Sequence, residues 1–369
     1  MNEGRIQKVQ NWLKQEGHTF AFIHTTANVF YLSGLYSDPH ERVLGVAVLA
    51  EGEPFMICPG MERSQAKDAG WTYEIVGYSD SEDPWTKVQE ALASRGVTEA
   101  SSIAVEKETL PYARGEKLLG MFDGASLVGA EELMNELRLI KEESELKTLR
   151  EAARLADYGV EVGVAALREG VTEMEVLAKI EYELKQKGIS AMSFSTMVLF
   201  GEKAGQPHGK PGLRKLQHGD FVLFDLGVVL DGYCSDITRT VAFGDLDEKR
   251  REIYDTVLQA QLKALEASKP GTRIGDIDLI ARNHIAEAGY GDHFPHRIGH
   301  GLGIDVHEFP SMSDNNDGVL REGMTYTIEP GIYIDDVGGV RIEDDVYVTA
   351  DGHETLTKYP KELQIIKYK

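Results

Sequence analysis

Cysteine is nearly missing: Cys58 and Cys234 are the only two in 369 residues. Two thiols cannot build a disulfide framework, and their scarcity points to a reducing compartment, the cytoplasm. Long apolar runs are missing too. Nothing approaches the ~20 residues that cross a bilayer, and the opening stretch MNEGRIQKVQ is too polar for a signal peptide. The first third holds no Gly-x-Gly-x-x-Gly, which removes the dinucleotide fingerprint. Positive charge is scarce, with 39 Lys and Arg against 61 Asp and Glu and a formal charge of −22. That surplus argues against nucleic acid and anionic membranes as partners. It is partly accounted for if some carboxylates hold divalent cations.

What is present begins with enough chain for two domains, expected at residues 1–129 and 130–369. Residues 5–17 read as an amphipathic helix stopped by Gly17. Short apolar runs at 19–24, 29–32, 43–50 and 55–58 join further strands at 73–76, 103–105 and 126–128. Helical stretches near 61–69, 84–95 and 111–119 alternate with them, which indicates an α/β domain. His24, His40 and Arg42 read as exposed loop residues. From 130 the pattern turns helical and charged, with helices near 142–167 and 173–187, Thr172 as an N-cap and Gly188 as the stop. Strands at 193–200 and 221–243 follow. Helices near 248–267 and 274–288 and strands over 325–348 then repeat the order, giving an α+β second domain.

The chemistry centres on residues 221–243, FVLFDLGVVLDGYCSDITRTVAF. Two β-branched and aromatic runs flank Asp231-Gly232, a dipeptide suited to a two-residue hairpin. That turn places Leu230 opposite Tyr233, Asp225 opposite Thr238, and Gly227 opposite Asp236. Asp225 and Asp236 then share a face as diagonal neighbours, roughly 7–8 Å apart, within reach of shared cations. Gly227 is expected to leave room for an ion. The opposite face (Val222, Phe224, Leu226, Val228, Leu230) is apolar and belongs in a core. Cys234 falls on the Asp236 face and reads as a packed thiol rather than a ligand.

Further candidates lie downstream. Residues 296–308, HRIGHGLGIDVHE, are rich in glycine and hold three histidines, which suggests close backbone approach to a ligand rather than a helix. Glu329 ends an apolar strand just before Pro330-Gly331, and Glu343 follows Arg341 by two within a strand over 340–348. Asp225, Asp236, His300, Glu329 and Glu343 together make an oxygen-rich set without thiolate. Such a set suits Mn²⁺, Fe²⁺, Co²⁺ or open-site Zn²⁺.

The order Asp, Asp, His, Glu, Glu resembles the pita-bread metallopeptidases, which include methionine aminopeptidases, aminopeptidase P and prolidases. Residues 296–308 match the signature of the proline-specific branch. Gln206-Pro207-His208-Gly209 and Gly339-Val340-Arg341-Ile342-Glu343 match two further family elements. Residues 28–34, NVFYLSG, are similar to the creatinase-type domain that precedes the catalytic one. The resemblance implies an α+β pita-bread domain after a creatinase-like α/β domain. It also implies hydrolysis of the Xaa-Pro bond in dipeptides by a hydroxide bridging two divalent ions, manganese first among them. Asp225 would hold one ion, His300 and Glu329 the other, with Asp236 and Glu343 shared. Glu329 would move the proton, His208 and His307 would steady charge and substrate, and Arg341 would position a shared carboxylate. Aminopeptidase P on longer peptides, or a non-catalytic peptide-binding relative, are the alternatives. A homodimer is expected.

Overall fold

The computed structural model describes residues 3–367. The chain divides into two units, Met1–Arg138 and Leu139–Lys369. The first is built on a six-stranded sheet in the order Glu74–Tyr78, Phe55–Pro59, Gly45–Leu49, Phe20–Ile23, Ser102–Val105, Ser126–Gly129. Its four central strands are mostly apolar because both faces are covered, and Phe20, Phe22, Phe55, Ile57, Val88, Leu92 and Ile103 form one core.

The apolar run at 29–32 is not a strand. Thr25 accepts the Asn28 N–H and opens the helix Thr26–Ser33, which Gly34 closes at φ +82°. Most residues of this short helix are buried, so no amphipathic period shows in the sequence. His24 is not an exposed loop residue either. Its side chain is 8% exposed, and Nδ1 lies 3.0 Å from Glu106 Oε2. His40 is exposed as expected, and Arg42 pairs with Asp80 at 2.9 Å.

The second unit mixes helices and sheets in the α+β manner. Helix Glu143–Ala165 is followed by Glu173–Gln186, which opens on a capping box between Thr172 and Glu175 and stops before Gly188 at φ +88°. The hairpin comes next with the expected register. Asp231 and Gly232 both take positive φ (48° and 83°), as a type I′ turn demands. Leu230 faces Tyr233 and Asp225 faces Thr238. Val222, Phe224, Leu226 and Val228 pack against Ala152, Ala156, Val160, Ile180 and Leu184 of the two helices. Phe221 and Leu223, on the face of Asp225, enter a second core with Val257, Ala260, Ile277 and Ala281 from helices Glu248–Ala267 and Ile274–Glu287. The hairpin strands are therefore buried on both sides.

Gly227 does not make room for an ion. A Cβ there would lie 1.8 Å from the Ser235 carbonyl oxygen, so the glycine serves a close backbone crossing where the strand breaks between Asp220–Leu226 and Val228–Leu230. The later strands form a five-stranded sheet ordered Glu308–Met312, Gly299–Gly301, Thr325–Ile328, Asp344–Val348, His353–Thr355, and a separate hairpin of Gly331–Ile334 with Gly338–Arg341. The single strand expected over 340–348 is thus two strands in two sheets. Between them the Glu343 N–H donates to the Thr238 carbonyl at 3.0 Å, bending the chain from one sheet to the other.

Candidate metal centre

One cavity of about 400 Å³ collects every residue singled out for chemistry: Asp225, Asp236, His300, Glu329, Glu343, His208, His307 and Arg341. The five candidate ligands arrive from separate pieces of backbone. Asp225 stands on the first hairpin strand, and Asp236 sits at the start of the return strand Ile237–Phe243. His300 lies in the short strand Gly299–Gly301, where neither flanking glycine could carry a side chain without meeting the neighbouring backbone. Glu329 follows the strand Thr325–Ile328, and Glu343 occupies the bend between sheets.

The chain fixes the orientation of these groups. The His300 Nδ1 lies 3.1 Å from the Gly301 carbonyl, which can only accept, so Nδ1 carries the proton. Its Nε2 lone pair is then left facing Glu329 Oε1 at 3.5 Å and Asp236 Oδ2 at 3.7 Å. The His300 N–H donates to Thr327 Oγ1 at 3.2 Å, and the Asp236 N–H to Asp345 Oδ2 at 3.1 Å. Arg341 spends all three guanidinium nitrogens. Nη2 donates to Asp225, Nε to Thr238 Oγ1 at 3.1 Å, and Nη1 to Tyr333 Oη at 2.8 Å. Thr238 in turn donates to Glu343 Oε2 at 2.6 Å. Arg341 therefore holds Asp225 directly and Glu343 through a hydroxyl.

Tyr333 extends this chain. His296 Nδ1 lies 2.8 Å from its neighbour's carbonyl and must be the donor there, so Nε2 accepts from Tyr333 Oη at 2.8 Å. Burial agrees with neutral rings, lowering the imidazole of His296 to about 4 and that of His300 to about 3. In the His300 ring the neighbouring His307 adds to the effect, with ring centroids 4.0 Å apart.

The carboxylates show the opposite strain. Burial raises Asp236 and Glu329 well above the usual carboxylate range, and the Glu343 charge raises both further. Burial and then Asp225 push Glu343 up to about 8. Asp225 is raised by burial and eased by Arg341. Four acidic groups, Asp225, Asp236 and Glu343 among them buried, thus converge near the Arg341 guanidinium, an arrangement that asks for cations. The donor set fits them. Ligand atoms of Asp236, His300 and Glu343 lie within 4.8 Å of one another. One oxygen each of Asp225, Asp236 and Glu343 is also buried without a hydrogen-bond partner. Cys234 takes no part: it packs with Val229 and Leu302, its thiol raised by burial to about 12.

Several members of the site carried no signal in the sequence. Thr238, Thr327, Tyr333 and Asp345 orient the others, while Phe194 and Met197 join Pro207 and Val306, from the two segments already singled out, in an apolar wall. Arg297, in the histidine-rich segment, also faces the cavity.

The chain's relatives agree with this chemistry. Residues 147–350 match the metallopeptidase family M24, and residues 5–140 match the creatinase/prolidase N-terminal domain. The protein YkvY of Bacillus subtilis (strain 168), a dipeptidase by provisional name, is 62% identical over 98% of this chain and 99% of its own. The solved structure of an Xaa-Pro dipeptidase from Bacillus anthracis superposes with a TM-score of 0.91 at 34% identity, over 99% of both chains. An X-Pro aminopeptidase from Thermotoga maritima MSB8 gives 0.86 at 29% identity, over 95% of this chain and 98% of its own. The protein belongs to metallopeptidase family M24, with a creatinase/prolidase N-terminal domain ahead of a pita-bread catalytic domain.

Proposed function

We propose that this enzyme is an Xaa-Pro dipeptidase (prolidase) that works with two divalent cations, manganese before cobalt, zinc or iron. The observation that carries the reading is the convergence of Asp225, Asp236, His300, Glu329 and Glu343 on one cavity, with buried carboxylate oxygens left unpartnered. Asp225 would hold one ion, His300 and Glu329 the other, and Asp236 and Glu343 both. When bound, the pair would lower the pKa of a water and polarise the scissile carbonyl.

The remaining work falls to the protein. Glu329, at the cavity wall beside His300, would take the proton from the attacking water and return it to the proline nitrogen. His208 and His307, the more exposed imidazoles of the cavity, would donate to the oxygen on which charge develops and to the substrate backbone. Arg341 would keep Asp225 and Glu343 in place as charge moves. Phe194, Met197 and Val306 offer an apolar bed for a pyrrolidine ring. Proline lacks an N–H and carries a ring on its nitrogen, so peptidases that grip an extended backbone lose a hydrogen bond and meet a clash. A dedicated pocket answers that need.

A second reading is Xaa-Pro aminopeptidase on longer peptides, favoured by the likeness to the Thermotoga maritima enzyme. The two are separated by hydrolysing Ala-Pro, Ala-Pro-Ala and Ala-Pro-Ala-Ala with manganese-reconstituted protein. A dipeptidase shows kcat/KM falling by at least tenfold from the first to the second substrate, whereas an aminopeptidase shows the reverse order. Cleavage confined to peptides without proline would end both readings. We carry the cytoplasmic homodimer forward with this proposal. No described helix is long and apolar enough to cross a membrane.

A further inference from the structure

Glu173 is a fully buried carboxylate that stands outside the metal cavity. A charge so placed is costly unless donors meet it, and here three do. Oε1 accepts the Phe200 N–H at 3.0 Å, while Oε2 accepts the Gly212 N–H at 2.7 Å and the Lys203 ammonium. Lys203 reaches on to the Lys210 carbonyl at 2.8 Å. The first turn of the helix Glu173–Gln186 adds two backbone bonds at the same place. The Glu173 N–H donates to the Arg214 carbonyl at 3.2 Å, and the Met174 N–H to the Gly212 carbonyl at 3.1 Å.

These bonds enclose the segment 201–211. Phe200 ends the strand Met197–Phe200 on one side and Gly212 stands on the other, so one carboxylate ties both ends of the loop together. Pro207 and His208, near its middle, line the metal cavity. His208 differs from His296 and His300, whose rings are oriented by hydrogen bonds of their own. Among the described residues the His208 side chain has no hydrogen-bond partner, and the residue is exposed. The backbone of the loop therefore decides where its ring stands.

We infer that Glu173 is a positioning residue for His208, acting through the loop 201–211 with Lys203 as the link across it. This rests on the Xaa-Pro reading, in which His208 donates to the oxygen where charge develops, and deepens it. A carboxylate suits the place because donors converge on both of its oxygens. A glutamine of the same shape has one acceptor oxygen, and its NH2 would face either the Phe200 N–H or the Gly212 N–H and Lys203. One end of the loop would then lose its acceptor. Misplacing a group of the site by about 1 Å can cost on the order of 10²-fold in rate.

The test is a cycle of Glu173→Gln, His208→Ala and the double variant, all manganese-loaded, on Ala-Pro. Glu173→Gln alone is expected to lower kcat by roughly 10- to 10²-fold, with KM changed far less and the manganese content of the wild type retained. On the His208→Ala background the same substitution should cost less than about twofold, because the two act as one unit. Hydrogen exchange read by mass spectrometry should rise across residues 200–214 and stay unchanged over 221–243. Lys203→Met should move these readouts in the same direction, and it carries the test if Glu173→Gln does not fold; Lys203→Arg should recover part of the loss. Equal losses with and without His208, or a loss of manganese, would overturn the assignment and leave Glu173 a purely structural part. Should the wild type leave Ala-Pro uncut, the dipeptidase reading falls. The exchange measurement then decides for Glu173: a rise confined to 200–214 supports its hold on the loop, and unchanged exchange there rejects it.

Discussion

Asp236 is the residue in which the two demands on this site meet. It is 5% exposed, donates its own N–H to the Asp345 carboxylate, and keeps a carboxylate oxygen with no donor. Without cations its charge is opposed by Glu343, Asp225, Asp345 and Glu329 in turn. Asp236→Asn therefore removes repulsion as well as a ligand. The metal-free variant should unfold at a temperature equal to or above that of the metal-free wild type. Manganese at a hundred times its wild-type Kd should then stabilise the wild type by about 2.7 kcal/mol for each ion bound, and at the same concentration the variant far less. Peptidase activity should fall at least 10²-fold. Calorimetric scans with and without metal check both halves, and a variant with full turnover and a full metal-induced rise would remove Asp236 from the site. At this scale the sequence was readable where residue type narrows chemistry. Acids and histidines at suggestive spacing could be picked out before any fold was known. Thr238, Tyr333 and Asp345 could not, because a threonine or tyrosine in a strand looks like ordinary β-propensity until its hydroxyl is seen between Arg341 and Glu343 or His296.

At the level of elements, the hairpin shows how local rules suffice when they agree. Asp231-Gly232 supplies the positive φ angles, alternation decides the faces, and the register follows for the length of both strands. The helix Thr26–Ser33 shows where they fail, since its start depends on a contact from far along the chain. Glu106, just past the strand Ser102–Val105, accepts the N–H groups of His24 and Thr25 at 2.6 and 2.9 Å and the Asn28 amide at 2.6 Å. It also accepts from the Thr25 hydroxyl. Burial acts to raise this carboxyl, but His24 and these donors outweigh it and bring Glu106 down to about 2. A folded-state value below the unfolded one contributes stability above the unfolded pKa, which is lost as pH falls from about 4.5 through about 2. The amount is on the order of 3 kcal/mol. Trp12, Trp71 and Trp85, the only tryptophans, all lie in residues 1–138, so their fluorescence reports this unit alone. Urea unfolding followed in this way should show the wild type losing that stability between pH 4.5 and 2. Glu106→Gln should start less stable and change little over the same interval. Parallel acid profiles for the two proteins would mean that Glu106 is not the group responsible.

Across the whole molecule, the catalytic unit runs twice through a helix pair followed by strands: Glu143–Ala165 and Glu173–Gln186, then Glu248–Ala267 and Ile274–Glu287. Both passes feed the same cavity, with Asp225 and Asp236 from the first, and His300, Glu329 and Glu343 from the second. That alternation was legible as a rhythm of elements. The crossing from Gly338–Arg341 into Asp344–Val348 was not, because continuous β-propensity hides the point at which a strand changes sheets. It is this crossing that brings Glu343 beneath Thr238 and completes the acidic cluster. Part of the formal charge of −22 is concentrated here rather than spread over the surface, and bound cations would offset it. The most direct measurement is anomalous diffraction from crystals of the wild-type protein grown with manganese. The account predicts two peaks per chain, one coordinated by Asp225 and one by His300 and Glu329, with Asp236 and Glu343 touching both. Peaks elsewhere, or a refined cavity in which those five side chains bind no metal, would contradict it.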